Sequence, residues 1–298
     1  VFVGILLFTF SVFFHGQEDF PVLKGPYLGQ KPPGKKPEIF APGIISADAT
    51  QGYPSISKDG KEFYFNDRRR GGWMVTMCKN NIWQAPKSIP FSKQYGFVEA
   101  IVSYNGSELF FCSKHPHDKS DKSVDLDLWV MKREKDEWQV PVKLNPTLNS
   151  DNHEAFATMA TSGNLYFFRE YEDKRGCEIM VSEYSKGKWN TPERLGPTIN
   201  TGKHECDPFI DPGENYVIYC VRDRDGGYGN NDLYISFKTE NGSWSKSFNL
   251  GAEINSKEEE ITPYVSYDGN YLFFTSNRLG SYDIFWVNAK IIDQLKPD

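Results

Sequence analysis

The sequence has no P-loop, no dinucleotide-binding glycine fingerprint, no nucleophile elbow and no cysteine-rich zinc pattern. Those absences remove the commonest sequence signatures of nucleotide, redox and acyl-transfer chemistry. Positive charge is also in deficit. Against 40 Asp and Glu stand 34 Lys and Arg, a net charge of −6, so no global basic field invites nucleic acid. Cysteine is sparse: Cys78, Cys112, Cys177, Cys206 and Cys220 are an odd count spread over a large core, not a small disulfide scaffold. Cys206 and Cys220 lie equidistant from the turn at Gly213, which sets them to face each other across a hairpin, and free packed thiols are expected there.

Long apolar runs are missing beyond the first residues. "VFVGILLFTFSVFFHG" is apolar from Val1 to Phe14, short for a membrane span of about 20 residues and of the length of a secretory signal core. Residues 1–16 are therefore expected to be a signal-like segment, with a periplasmic or extracellular product that keeps no stable membrane span. No Cys follows the run, so no lipid anchor is expected. Residues 17–37 carry Pro21, Pro26, Pro32, Pro33 and Pro37; this spacing forbids helix and central strand and reads as an extended linker. The folded domain is expected over 38–298.

What the chain has in plenty is aromatic and turn residues, with 16 Tyr, 22 Phe, 7 Trp, 25 Gly and 18 Pro, which favour strands and turns. One phrase, a turn followed by an aromatic strand, occurs five times: "SISKDGKEFYF", "IVSYNGSELFF", "TMATSGNLYFF", "PFIDPGENYVIY" and "YVSYDGNYLFF". Its glycines are Gly60, Gly106, Gly163, Gly213 and Gly269, separated by 46, 57, 50 and 56 residues. A third strand follows as "DLDLWVM", "CEIMVS", "NDLYIS" and "YDIFWV", and a fourth element opens on Trp83, Trp138, Trp189 and Trp244. Four short strands per unit of about fifty residues predict an all-β propeller of five four-stranded blades, with six blades the alternative. The fifth Trp element is missing. "EIFAPGIISADATQGYPSIS" supplies the gap, so Phe40–Ser46 is expected as the outer strand of the last blade, closing the ring and leaving no open edge.

At this point the units resemble the WD40-like repeats of TolB-type propellers, often called PD40. "YVSYDGNYLFFTSNRLGSYDIFW", "VRDRDGGYGNNDLYIS", "LGPTINTGKHE" and "LGAEINSKEEE" carry the resemblance, which covers Phe40 to Lys290. Blade 1 departs from it at the third strand, and blade 2 carries the insertion "KHPHDKSDKSVDLD". The resemblance implies the fold; its motif residues are turn and core residues.

In a propeller, the loops leading into inner strands and those leaving second strands open on one face. Three inner strands begin with one phrase: "NSDNHE", "NTGKHE" and "NSKEEE", ending in Glu154, Glu205 and Glu260. Second strands end on Arg68, Lys114, Arg169, Arg222 and Arg278. One reading is a carboxylate-lined catalytic or metal pocket. The other is pairing within each blade, worth roughly 0.2–1 kcal/mol per pair. Repetition in three blades favours pairing, because catalysis needs an acid and a base in different environments. Glu154, Glu205 and Glu260 are then structural, with Arg169, Arg222 and Arg278 as their partners.

Blades 1 and 2 carry Gln51 and Phe97 where the others carry Glu. Their cations, Arg68 and Lys114 with Arg69, Arg70, His115 and His117, are expected to face an anionic ligand such as a carboxylated sugar or a peptide C-terminus. Phe97 and Tyr95 would add a platform for a sugar ring. In the same insertion Asp118, Asp121, Asp125 and Asp127 favour an ordinary solvated loop instead. His153-Glu154 and His204-Glu205 are adjacent and so face opposite ways in a strand, while "DRDGGYGNND" lacks EF-hand spacing; no metal and no cofactor are expected. The leading expectation is an exported, non-enzymatic propeller binding an envelope protein or a glycan, in the manner of TolB. The alternative is a carbohydrate-active enzyme, a glycosidase or uronate lyase.

Overall fold

The computed structural model describes residues 20–47, 50–116, 125–171 and 176–297. The signal-like segment 1–16, and His117, Asp118 and Asp121 of the insertion, lie outside them. Each aromatic phrase folds as a hairpin. The turn needs a left-handed residue, and Gly60 (φ 66°), Gly106 (φ 72°) and Gly269 (φ 68°) supply it at no steric cost. In blade 4 the left-handed residue is Glu214 (φ 59°), not Gly213.

Five antiparallel sheets form a ring, a five-bladed β-propeller. Blade 1 runs Gln51–Ile56, Glu62–Asp67, Gly72–Lys79 and Lys87–Ser88. Blade 2 runs Ala100–Val102, Glu108–Ser113, Asp127–Glu134 and Val142–Lys143. Blade 3 is His153–Met159, Leu165–Tyr171, Gly176–Ser182 and Glu193–Arg194. Blade 4 is His204–Ile210, Tyr216–Arg222, Asn231–Phe237 and Phe248–Asn249. Blade 5 takes Glu260–Val265, Tyr271–Ser276 and Asp283–Asn288 from the C-terminal end and its outer strand, Glu38–Ile39, from the N-terminal end. No helix among the described residues is long and apolar enough to cross a membrane.

Closure therefore occurs as expected, but in a shifted place. Glu38 pairs with Trp286 and Ile39 with Phe285, two residues before the expected start at Phe40. Phe40 N still donates to Ile284 O (2.8 Å). Ladder pairing then stops, because Ala41 turns left-handed (φ 45°) and Pro42 has no N–H to give. Phe40 itself is fully buried, 4.7 Å from Phe63 of blade 1 and 5.1 Å from Phe273 and Trp286 of blade 5.

The proline-rich segment is extended except for a 3-10 turn at Tyr27–Gly29, where the proline spacing predicted no helix, and it is seated on the propeller rather than hanging from it. Having few N–H groups, it is held through its carbonyls. Trp83 N reaches Leu23 O (3.0 Å), Trp83 Nε1 reaches Gly25 O (2.7 Å) and Asn288 N reaches Gly34 O (3.0 Å). Leu28 is buried, and Tyr27 stands edge-on to Tyr271 while its hydroxyl donates to Asp268. The segment thus bridges blades 1 and 5 across the closure.

A second feature recurs between blades. The Asn149 side chain accepts from Leu128 N (2.8 Å) and donates to Leu128 O and Leu144 O. Asn200 does the same to Ile179 and Leu195, and Asn255 does so to Leu233 N and O. Each Asn fastens the crossover to the third strand of the blade just completed. The next residue, Ser150, Thr201 or Ser256, gives its backbone N–H and its hydroxyl to Glu154, Glu205 or Glu260 of the blade that follows. At the closure Ser46 Oγ takes the Asn part against Ile284, and Ala47 N donates to Gln51 Oε1 (3.1 Å).

Three outcomes follow from this arrangement. A chain starting at Glu38 should remain monomeric but lose on the order of 2 kcal/mol with the burial of Leu28. One starting at Ala47 should expose the edge of blade 5 and aggregate; a stable monomer in size-exclusion chromatography would contradict closure by this strand. Asn200→Ala removes three buried hydrogen bonds and should cost about 2–4 kcal/mol in denaturant unfolding.

Candidate functional site

The mouth carboxylates are fully buried, so each depends on its donors. Glu154 lies opposite Arg169, whose Nε is 2.5 Å from Oε1 and whose Nη2 reaches Leu148 O (3.1 Å). Arg278 Nη2 sits 2.9 Å from Glu260 Oε1 and also bonds Ile254 O. Burial pushes the Glu154 carboxyl up, and the Ser150 and Arg169 hydrogen bonds only partly oppose it.

The structure corrects two assignments of the cation ring. In blade 1 the residue equivalent to Arg169 and Arg278 is Arg69, not Arg68: its Nη2 reaches Ile45 O (3.3 Å) and Asp67 Oδ2 (3.1 Å). Asp67 lies opposite Gln51, accepts from its Nε2 and also pairs with Arg70. Burial raises the Asp67 carboxyl, but hydrogen bonds from Arg69, Gln51 and Arg70 outweigh it and hold it below the usual range. In blade 4 Arg222 stands opposite His204, while Glu205 faces Val221. That single-residue offset turns Arg222 to the other side of the sheet. Arg222 is exposed, forms no ion pair with Glu205, and leaves Glu205 Oε2 without a partner among the described residues.

Arg68 is left exposed and unpaired among the described residues. With Gln51, Phe97, Tyr53, Thr275 and Tyr282 it lines a cavity of about 560 Å³ between blades 1, 2 and 5. No carboxylate lines it among the described residues. Phe97 shows little of its ring because it stacks on Phe111 at 3.6 Å. Tyr95 and Lys114 stand outside this cavity. Tyr95 packs against His115 (4.5 Å) and Trp129 (5.5 Å), and Lys114 is exposed on its loop.

Beneath the mouth lies a cluster that the repeat pattern conceals. Four inner strands carry a bulge whose central residue is left-handed: Tyr53 (φ 58°), Phe156 (φ 51°), Asp207 (φ 52°) and Thr262 (φ 51°). Counted back from the turn, Glu99 holds this position in blade 2. These residues meet about the axis. Thr262 N donates to Asp207 Oδ2 (3.1 Å), and the Phe156 backbone N–H donates to Glu99. Cys112 and Cys220 direct their thiols at Glu99 and Asp207. Burial raises the Asp207 carboxyl to about 6, and burial together with the charge of Asp207 raises Glu99 well above the usual carboxylate range. Further in, Ile101, Phe110, Phe209, Tyr264 and Val265 line a residual space of only about 20 Å³.

The histidines part company. His153 is satisfied by Leu126 N (2.8 Å) on its Nδ1. His204 instead joins Cys177 and Cys206, their ligand atoms all within 4.8 Å of one another, so the chain does hold a group able to ligate a metal. Cys206 and Cys220 are directly opposite in register, and both are thiols. In the "DRDGGYGNND" loop Asp232 accepts from Tyr228 N and Gly229 N, a turn role.

No protein-family model and no curated protein matches the chain. Solved structures do. The endo-arabinase from Bacteroides thetaiotaomicron superposes with a TM-score of 0.55 at 14% identity, over 87% of this chain and 97% of that one. A glycoside hydrolase superposes at 0.53 with 11% identity over 93% of both chains. TolB from Acinetobacter baumannii gives 0.47 and 11% over 82% of this chain, which spans about half (55%) of the TolB chain. These are likenesses of fold alone.

The axial pair makes a pH prediction. Glu99 has a folded pKa above its unfolded value, so its favourable contribution is complete below about pH 4 and is lost as pH rises through the folded pKa. Glu99→Gln stays neutral throughout. Its melting temperature relative to the unmodified protein should therefore improve steadily as pH is raised from about 4 to 8; a constant difference would mean that Glu99 does not titrate differently on folding.

Proposed function

We propose that the protein is an exported, non-enzymatic binding module that takes an anionic group of a glycan or protein partner in the mouth cavity between blades 1, 2 and 5. The observation that carries this reading is Arg68: an unpaired guanidinium on the wall of a 560 Å³ cavity with no acid lining it among the described residues. Guanidinium offers a planar fork of N–H donors that matches a carboxylate in bidentate fashion. The side-chain amide of Asn66 lines the same cavity, and Tyr53 and the Phe97 edge supply an apolar surface for a ring. Export rests on the apolar segment 1–16, and the PD40 type of the repeats rests on the quoted phrases.

A second reading, a carbohydrate-active enzyme, is favoured by the meeting of Glu99 and Asp207 on the axis. Glycoside hydrolysis commonly uses two carboxyl groups about 5–9.5 Å apart, and arabinase and glycoside hydrolase structures share this architecture. Against it, Glu99 and Asp207 are 8% and 7% exposed and lie outside the walls of the mouth cavity. The binding reading is therefore preferred.

One experiment separates them. The mature domain is screened against uronate-bearing and neutral oligosaccharides and against peptides with free or amidated C-termini, beside a polysaccharide depolymerisation assay. Binding of the carboxylated probes should weaken with salt and fall about tenfold or more in Arg68→Ala, the worth of a charge-assisted hydrogen bond, with the melting temperature nearly unchanged. Arg222→Ala and Lys114→Ala should have little effect. Affinity that survives Arg68→Ala places the site elsewhere, and hydrolysis abolished by Glu99→Gln installs the enzyme reading.

A further inference from the structure

At the junction of blades 3 and 4 the fold gathers soft donors that no structural contact requires. His204 and Cys206 are two apart on the inner strand of blade 4 and so share a face. Cys177, on the third strand of blade 3, faces them. The sulfur of Cys177 lies 3.6 Å from His204 Nδ1. A tetrahedral zinc with Zn–S near 2.3 Å and Zn–N near 2.0–2.1 Å places neighbouring ligand atoms about 3.5–3.8 Å apart. The three ligand atoms already lie within 4.8 Å of one another, so a cation would draw them together by only a small rotation of each side chain.

Backbone and register both set up this approach. Gly176 is left-handed (φ 92°), and a Cβ there would come within 3.0 Å of Lys203 O and 3.3 Å of the His204 ring. Glycine is what lets blade 3 close on His204. The neighbouring junction is different. There the position equivalent to Cys177 is Leu126, and its backbone N–H occupies Nδ1 of His153. At the next junction the equivalent position is Asn231, bridged to Glu259. Only between blades 3 and 4, among the described residues, does the repeat exchange backbone partners for two thiols and an imidazole.

We propose that Cys177, His204 and Cys206 form a site for a thiophilic divalent cation of the zinc class, with three protein ligands and one position open to solvent. Cys177 is buried, whereas His204 and Cys206 are half-buried, so the ion has a protein wall on one side and an approach on the other. Binding converts two thiols to thiolates and releases two protons to solvent, while neutral imidazole supplies Nδ1. The ion would cross-link two blades through side chains and add to the stability of that junction by mass action. Cys220 competes: it stands opposite Cys206, and a disulfide between them would withdraw Cys206 from the ligand set.

The test uses the full chain, reduced, stripped with chelator and titrated with zinc alone, then with cobalt(II). The expected result is one ion per chain, a raised melting temperature, and a cobalt complex with thiolate charge-transfer and tetrahedral d–d absorption. Cys177→Ser and His204→Ala should each weaken binding at least tenfold, whereas Cys78→Ser and Cys112→Ser should not. In the unmodified protein, zinc should protect Cys177 and Cys206, but not Cys78, from alkylation read by peptide mass mapping. This arm holds even where a variant fails to fold. Binding unchanged in Cys177→Ser, a cobalt spectrum without thiolate bands, or no selective protection would each overturn the site. So would a Cys206–Cys220 disulfide in protein isolated without reductant.

Discussion

The structure depends on how it satisfies the outer backbone of each third strand. Outer strands here are two residues long, so most of the neighbouring edge must find partners elsewhere. In three blades a buried asparagine supplies them, its amide standing in for a peptide group against both N–H and C=O of one residue. Losing such a side chain leaves backbone groups unsatisfied in the interior, at about 1–3 kcal/mol each. Because Asn fixes the crossover to the blade behind, the following Ser or Thr is delivered to the carboxylate of the blade ahead. In blades 3 and 5 the carboxylate then orders an arginine, and the arginine orders a carbonyl of the crossover, closing the circuit; in blade 4 the circuit stops at Glu205. The shape of the mouth is a by-product of that circuit.

Much of this was legible in the chain. Five turn phrases at separations of about fifty residues specify the blades, and the four-residue spacing from Ser150 to Glu154 or Ser256 to Glu260 is the visible half of the clasp. Hairpin arithmetic brings Arg169 and Arg278 only close to their partners: counted from the turns, Glu154 falls against Glu170 and Glu260 against Asn277, and the bulge moves them by one, to Arg169 and Ser276. Arg222 escapes it because one residue of offset reverses its side, and Arg69 escapes because three consecutive arginines cannot be told apart by spacing. Asp207 was hidden for a related reason. A bulge breaks the two-residue alternation on which strand reading relies, so a residue assigned to one side by counting arrives on the axis. Glu99 has no such bulge; it stands just ahead of a three-residue inner strand, Ala100–Val102, too short to show an alternation. The assembly of Cys177 with His204 required knowing which blades touch.

Asymmetry in the ring is concentrated at two places. At the closure, Gln51 and Asp67 share the work of one glutamate, and two arginines answer Asp67, which leaves the third uncommitted. At the junction of blades 3 and 4, the departure lies in softness rather than charge. A specialised site on a repeat fold needs a copy that has left the common pattern, and both proposed sites lie at copies that have.

The strand Glu38–Ile39 and the turn after it also tie blade 5 to the segment that leads into blade 1, with Ser46 hydrogen-bonded to Ile284, 238 positions away. Such a contact carries a large loop-closure cost and can be made only after residue 284 has been synthesised. The mouth cavity straddles this seam, taking Gln51 from one side and Thr275 and Tyr282 from the other. Its walls come together only when the ring is shut. A ligand of the kind proposed would therefore act as a latch on the propeller, and a chain cleaved between Ile39 and Gln51 would surrender it before losing its blades.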